Sequence, residues 1–150
     1  MSSLTVNSAV LDIQFSLHDR NLMAVTLASG HLNFYKTRSG RYTAKLLGSH
    51  PIAPGSPVHS FSFSPTNPDI ACASLANGTA LLLSITPPTE APETIHTLQG
   101  SSRVLHTAFS VDGKRVYLAT ASGIVTSFST STGKQRWTDD NASRGLRWVE

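Results

Sequence analysis

The sequence predicts an all-β chain, assembled from three copies of a four-stranded unit that do not close into a ring. Three observations carry that reading. A segment running from Val to Phe-Ser occurs three times at nearly constant spacing. A glycine follows each Phe-Ser at a nearly constant distance. No segment sustains the 3.6-residue periodicity of an amphipathic helix.

The first strands come from Val10-Leu11-Asp12-Ile13-Gln14-Phe15-Ser16, Val58-His59-Ser60-Phe61-Ser62-Phe63-Ser64 and Val104-Leu105-His106-Thr107-Ala108-Phe109-Ser110. Their last phenylalanines stand 48 and 46 residues apart. Each is followed by polar turn residues: Leu17 to Asn21, Pro65 to Asp69, and Val111 to Arg115. Asn, Asp, Pro and Gly turn the chain for backbone reasons. Second strands are expected over 22–28, 70–76 and 116–121. Tight turns at Ser29-Gly30, Asn77-Gly78 and Ser122-Gly123 follow, 15, 15 and 14 residues after the phenylalanines. Glycine there supplies the positive φ that a short hairpin turn needs. Third strands are expected over 31–36, 79–85 and 124–130, and fourth strands over 42–47, 94–98 and 135–138.

Four short antiparallel strands in a unit of about 45 residues make a β-propeller blade. The expected blades span residues 8–50, 56–100 and 102–142 within a single unit, 1–150. Residues 143–150 read as the opening strand of a further blade. A blade is covered on both faces by its neighbours, so its inner strands should be apolar or small throughout. Met23 to Ala28, Ile70 to Leu75 and Leu118 to Ala121 have that character. Propellers close with about four to eight blades. Three blades therefore predict an incomplete ring: a portion of a larger propeller, or one completed by a partner.

Hydrophobic residues make up 39% of the chain and charged residues 14%. No run of about 18 apolar residues suggests a membrane-spanning helix, and the amino-terminal residues lack the pattern of a secretory leader. Cys72 is the only cysteine, which excludes an internal disulfide and a cysteine-only metal site. A cytoplasmic location is expected, with the nucleus also compatible. The sequons at Asn77 and Asn141 are then chance matches. The net charge of +3 divides into +3, −3 and +3 over successive 50-residue thirds, and the middle third holds no Lys or Arg. Basic residues this scattered speak against nucleic acid as the partner.

At the level of the repeats the chain resembles the WD-repeat family over residues 8–142. That family ends its third strand with Trp-Asp. Here the positions hold Tyr35-Lys36, Leu83-Ser84 and Phe128-Ser129, so the large apolar residue is kept and the aspartate is not. The family's Gly-His before the first strand survives only as Gly48-Ser49-His50 and Gly100-Ser101. The resemblance implies a protein-interaction scaffold whose partners are other proteins, met on loop tips and first-strand edges. A narrower resemblance joins Val10-Leu11-Asp12-Ile13, Leu22-Met23-Ala24-Val25 and Gly30-His31-Leu32-Asn33-Phe34-Tyr35 to the first blade of WD proteins of the diphthamide pathway. It implies, as the alternative function, diphthine methyl ester hydrolysis with elongation factor 2 as partner. The third blade departs from it, with Ala119-Thr120-Ala121-Ser122-Gly123 in place of a Gly-Gly-Asp-Asp-type turn.

Candidate chemistry is sparse. No G-x-S-x-G nucleophile elbow occurs. Asp12, His59 and His106 lie in the three first strands and form the one cluster available to a catalytic reading; a structural role competes with it. Ser131-Thr132-Gly133-Lys134 lacks the full phosphate-loop pattern and reads as a turn. Pro87 to Pro92 and Pro51 to Pro57 read as a surface loop and an interblade connection. Arg136-Trp137 and Arg147-Trp148 are candidate partner-binding pairs, because Arg and Trp anchor interfaces. Packing between blades is the competing reading for both tryptophans. No metal or other cofactor is expected.

Overall fold

The computed structural model describes residues 3–38 and 41–139. Twelve strands and no helix occur among them. Blade 1 comprises β1 (Val10–Phe15), β2 (Leu22–Leu27), β3 (His31–Arg38) and β4 (Arg41–Pro51). Blade 2 comprises β5 (Val58–Phe63), β6 (Ile70–Leu75), β7 (Thr79–Ser84) and β8 (Glu93–Gln99). Blade 3 comprises β9 (Val104–Phe109), β10 (Arg115–Thr120), β11 (Val125–Ser129) and β12 (Gln135–Asp139). Each blade is a separate four-stranded antiparallel meander in sequence order. The expected strands and turns are present; β4 differs most. It runs through Gly48-Ser49-His50 to Pro51, pairing Phe34 with Gly48 and Leu32 with His50. That tripeptide therefore belongs to the fourth strand of blade 1 and does not precede the first strand of blade 2.

The repeat extends to individual hydrogen bonds. The amides of Ser16, Ser64 and Ser110 donate across the first turn to the carbonyls of Leu22, Ile70 and Arg115, each at 2.9 Å. The hydroxyl after each phenylalanine organises that turn. Ser16 Oγ accepts from the amides of His18 and Asp19, Ser64 Oγ from those of Thr66 and Asn67, and Ser110 Oγ from that of Arg115. These local bonds satisfy turn amides that no strand reaches. One residue is skipped at the second position of every first strand, at Leu11, His59 and Leu105. A matching bulge falls in every fourth strand, at Leu47, Ile95 and Arg136. Bulges increase local twist, which suits blades that fan around an axis.

Blade 2 sits between the other two and buries both faces. Toward blade 1, Phe61, Phe63, Ala71, Ala73, Leu81 and Leu83 meet Ala24, Leu32 and Phe34. Toward blade 3, Cys72, Ala80 and Leu82 meet Val104, Val116, Leu118 and Phe128. The three residues at the Trp position of the WD pattern are buried: Tyr35, Leu83 and Phe128. At the Asp position, Lys36 forms an exposed ion pair with Asp19 at 3.0 Å.

Candidate functional site

The first strands β1, β5 and β9 are the innermost in the stack, with β5 packed between β1 and β9. Asp12 is half-buried on β1. Its Oδ1 accepts from its neighbour's amide, Ile13 N, at 2.9 Å. Its Oδ2 accepts from the Phe61 amide of blade 2 at 3.0 Å. Gln14 Nε2 also donates to Oδ1, at 3.2 Å. The carboxylate thus satisfies the exposed edge of β5 and ties blade 1 to blade 2. His59 occupies the bulge of β5 and is half-buried, while His106 is exposed and holds the repeat position of Asp12 on β9. Among the described residues no hydrogen bond joins either imidazole to Asp12. The three side chains share one region of the stack without forming a linked acid–base array.

Arg136 and Trp137 lie on β12, where Trp137 pairs with Ser127 and Arg136 falls in the bulge. Arg147 and Trp148 lie outside the described residues. Cys72 is fully enclosed between blades 2 and 3, and burial pushes its thiol up to about 12. A thiol held protonated in this way is a core side chain and not a nucleophile.

Three other histidines act between blades. His18 Nε2 lies 3.0 Å from the Ser64 carbonyl, His50 Nε2 lies 2.9 Å from the Pro88 carbonyl, and His96 Nε2 lies 3.2 Å from the Ser131 carbonyl. A carbonyl only accepts, so each ring donates from Nε2. Each bond runs from one blade to a loop of the next. Ser62 Oγ adds a further interblade bond, donating to the Thr107 carbonyl at 2.8 Å.

The surface best suited to contact another molecule is the far side of blade 1. Ile13 and Phe15 are 52% and 49% exposed, whereas Phe61 and Phe63, at the same repeat positions in blade 2, are 1% and 6% exposed. Val10, Leu11, Leu17 and Leu46 extend the exposed apolar surface. Val6 packs beside Val25, Leu27 and Tyr35 on this side. An open cavity of about 460 Å³ lies there, lined by Val6, Leu27, His31, Asn33, Tyr35 and Leu46 among others. At its floor Ser49 Oγ donates to Asn33 Oδ1 at 2.6 Å, and Asn33 Nδ2 donates to Tyr35 Oη at 3.1 Å. Blade 2 has Leu81 and Leu83 at the positions of Asn33 and Tyr35, so the far side of blade 1 is apolar with a polar centre.

A scan of protein-family models finds no match to this sequence, and no curated protein matches it. Solved structures do match in fold. The WD40 domain of Toxoplasma gondii coronin superposes with a TM-score of 0.77 at 12% identity, over 89% of this chain and 34% of that one. A chain from a structure of the mitotic checkpoint complex gives 0.74 at 20% identity, over 93% and 40%. A computationally designed protein gives 0.70 at 21% identity, over 91% and 38%. The fold is therefore that of a WD40-type β-propeller, represented by three blades. The chain spans between a third and two fifths of the length of these neighbours.

Proposed function

We propose that this chain is a protein-interaction scaffold of the WD40 propeller type, acting as part of a larger propeller or complex. The observation that carries the reading is the apolar first strand of blade 1, whose Ile13 and Phe15 are exposed where Phe61 and Phe63, at the same positions of blade 2, are buried. An exposed apolar patch rimmed by polar groups marks an interaction surface. The neighbours support protein partners at the level of fold, since one of them comes from a structure of a multiprotein complex. A cytoplasmic location, with the nucleus also compatible, belongs to the same reading and rests on the lone cysteine.

The test compares proteins retained by the immobilised chain with those retained by a Leu17→Glu variant, quantified by mass spectrometry. Leu17 is 67% exposed, so the variant keeps the fold. Specific partners lost in the variant are expected. Identical sets would overturn the placement of the binding surface. The esterase reading rests on the diphthamide resemblance, and it needs a proton-transfer site on the first strands. Elongation factor 2 is the partner it implies. Release of methanol from a carboxyl methyl ester, abolished by Asp12→Asn, would establish it. Activity unchanged in that variant would assign Asp12 to the interblade bond alone.

A further inference from the structure

We infer that the outer edge of blade 2 takes an extended, basic segment of another protein as an added strand. Strand β8 stands last in its sheet, paired with β7 alone. Both faces of blade 2 are covered, one by blade 1 and the other by blade 3. Thr94, Ile95, Thr97 and Gln99 are exposed along the outer edge. The direction of each backbone group follows from the register. The Gly100 amide donates to the Gly78 carbonyl at 2.9 Å, and the pairs Ala80 with Leu98 and Leu82 with His96 continue that ladder. Hydrogen-bonded and non-hydrogen-bonded pairs alternate along antiparallel strands. Leu98 and His96 therefore turn their amides and carbonyls to β7, while Thr97 and Gln99 turn theirs outward. A row of outward backbone groups is a template for a further strand.

Composition sets β8 apart from the other outer strands. Edges are guarded by charge, lysine above all, or by proline. β4 carries Arg41 and Lys45, and β12 carries Arg136. β8 reads Glu93-Thr94-Ile95-His96-Thr97-Leu98-Gln99. From Thr94 onward it holds no lysine, arginine, carboxylate or proline, and its threonines and isoleucine favour extended backbone.

Charge complementarity gives the guest its chemistry. Residues 51–100 hold no Lys or Arg. Glu93 opens β8 and Glu90 precedes it in the turn; both are exposed, and neither forms an ion pair among the described residues. That turn is pinned in place. His50 Nε2 donates to the Pro88 carbonyl at 2.9 Å, Thr86 Oγ1 to Asp69 Oδ1 at 2.6 Å, and the Ile85 amide to the Asp69 carbonyl at 2.8 Å. Midway along the strand the His96 ring lies against Gly133 of blade 3, and Lys134 follows. The free carboxylates thus mark one end of the edge, and a guest strand carrying Lys or Arg at that end matches it. A second copy of β8 offers no such cation. The edge lies on the outer rim, a different surface from the first strand of blade 1 that carries the scaffold reading.

The test titrates the unaltered chain into a fluorescein-labelled peptide of alternating valine and lysine, followed by fluorescence anisotropy. Saturable binding is expected. Thr97→Pro removes one outward amide and leaves the ladder to β7 intact, so affinity should fall about fivefold or more, the net worth of a backbone hydrogen bond. Thr97→Val should leave affinity unchanged, and circular dichroism should show the same strand content in both variants. The same peptide N-methylated at every residue cannot donate to the edge and should not bind, a readout that needs no variant. Glu90→Gln together with Glu93→Gln should weaken binding severalfold at low salt and less at high salt, where charges are screened. No saturable binding, or binding indifferent to Thr97→Pro or to N-methylation, would overturn the inference. Equal binding of a valine–glutamate peptide would overturn the basic character of the guest. Self-association of the chain that Thr97→Pro abolishes would make a second copy the occupant, and would overturn it as well. Leu17→Glu should not alter the titration, so the two readings fail separately: partners lost with Leu17→Glu beside an unresponsive edge would leave the scaffold reading standing without this site.

Discussion

The ring pair Phe34 and Phe61 offers a direct test of how the blades stack. Phe34 lies on β3 of blade 1 and Phe61 on β5 of blade 2, and both are buried. Their centroids are 6.2 Å apart with planes at 77°, an edge-to-face contact across the interblade boundary. Replacing either ring by leucine keeps the site apolar and costs about 1–1.5 kcal/mol. An edge-to-face pair contributes about 0.5–1.5 kcal/mol beyond its buried area. That contribution is lost with the first substitution and cannot be lost again. The double variant Phe34→Leu, Phe61→Leu should therefore fall short of the sum of the singles by about 0.5–1.5 kcal/mol. Phe34 and Phe128 belong to separate clusters on opposite sides of blade 2, so their double variant should be additive within about 0.5 kcal/mol. Denaturant titration followed by circular dichroism measures both cycles, provided the m-value is unchanged. Equal coupling in the two cycles, or none in the first, would refute the stacking of blade 1 on blade 2.

Other consequences follow from single residues. Cys72 should resist a thiol reagent in the folded chain and react at the rate of unfolding, with full reactivity in denaturant; rapid labelling without denaturant would contradict its enclosure. Gly30 and Gly123 both have positive φ, at 90° and 83°, but a Cβ on Gly30 would collide with the Ala53 backbone whereas Gly123 has open space around it. Gly123→Ala should therefore cost about 1–2 kcal/mol of backbone strain alone, and Gly30→Ala distinctly more; similar thermal midpoints would remove the close approach. Asp19 has a lowered carboxyl pKa, held down first by the Asn21 amide and then by Lys36. Its folded value lies below the unfolded 3.8, so its contribution is present above that pH and is lost as pH falls through the folded value. Asp19→Asn should lower stability at neutral pH by less than about 1 kcal/mol, since the pair is exposed. The difference should vanish in strong acid, and a difference that persists there would assign the effect to something other than charge.

Much of the fold was legible because each blade repeats one backbone problem. Phe-Ser closes the first strand and supplies a turn hydroxyl, and glycine closes the second hairpin. These residues announce the repeat without reference to what lies beside it. The extent of β4 was not legible. Its second half, Gly48 to Pro51, follows the register set by β3 and carries no alternating pattern of its own. The interblade histidines were hidden for a related reason. His18, His50 and His96 fall in a first turn and at two different places in fourth strands, so no spacing links them. Their common role exists only once blades are stacked. Asp12, His59 and His106 were correctly placed on three first strands. The bulge that separates His59 from the other two in register comes from pairing, which periodicity alone does not reveal. Ile13 and Phe15 stand at the repeat positions of the buried Phe61 and Phe63. Their exposure depends on what stands next to blade 1, and pattern alone cannot supply that.

Among the described residues, strand pairing is confined within each blade, while packing and a few side-chain bonds join each blade to its immediate neighbours. Blade 2 gains support from two sides and each end blade from one. In such a nearest-neighbour array, cooperative opening spreads inward from the ends. Amide protons of β6 and β7 should then exchange with solvent last of all, and those of the end blades earlier. Pulled from its two termini, the chain should yield its outer sheets first and surrender the middle one at the highest force.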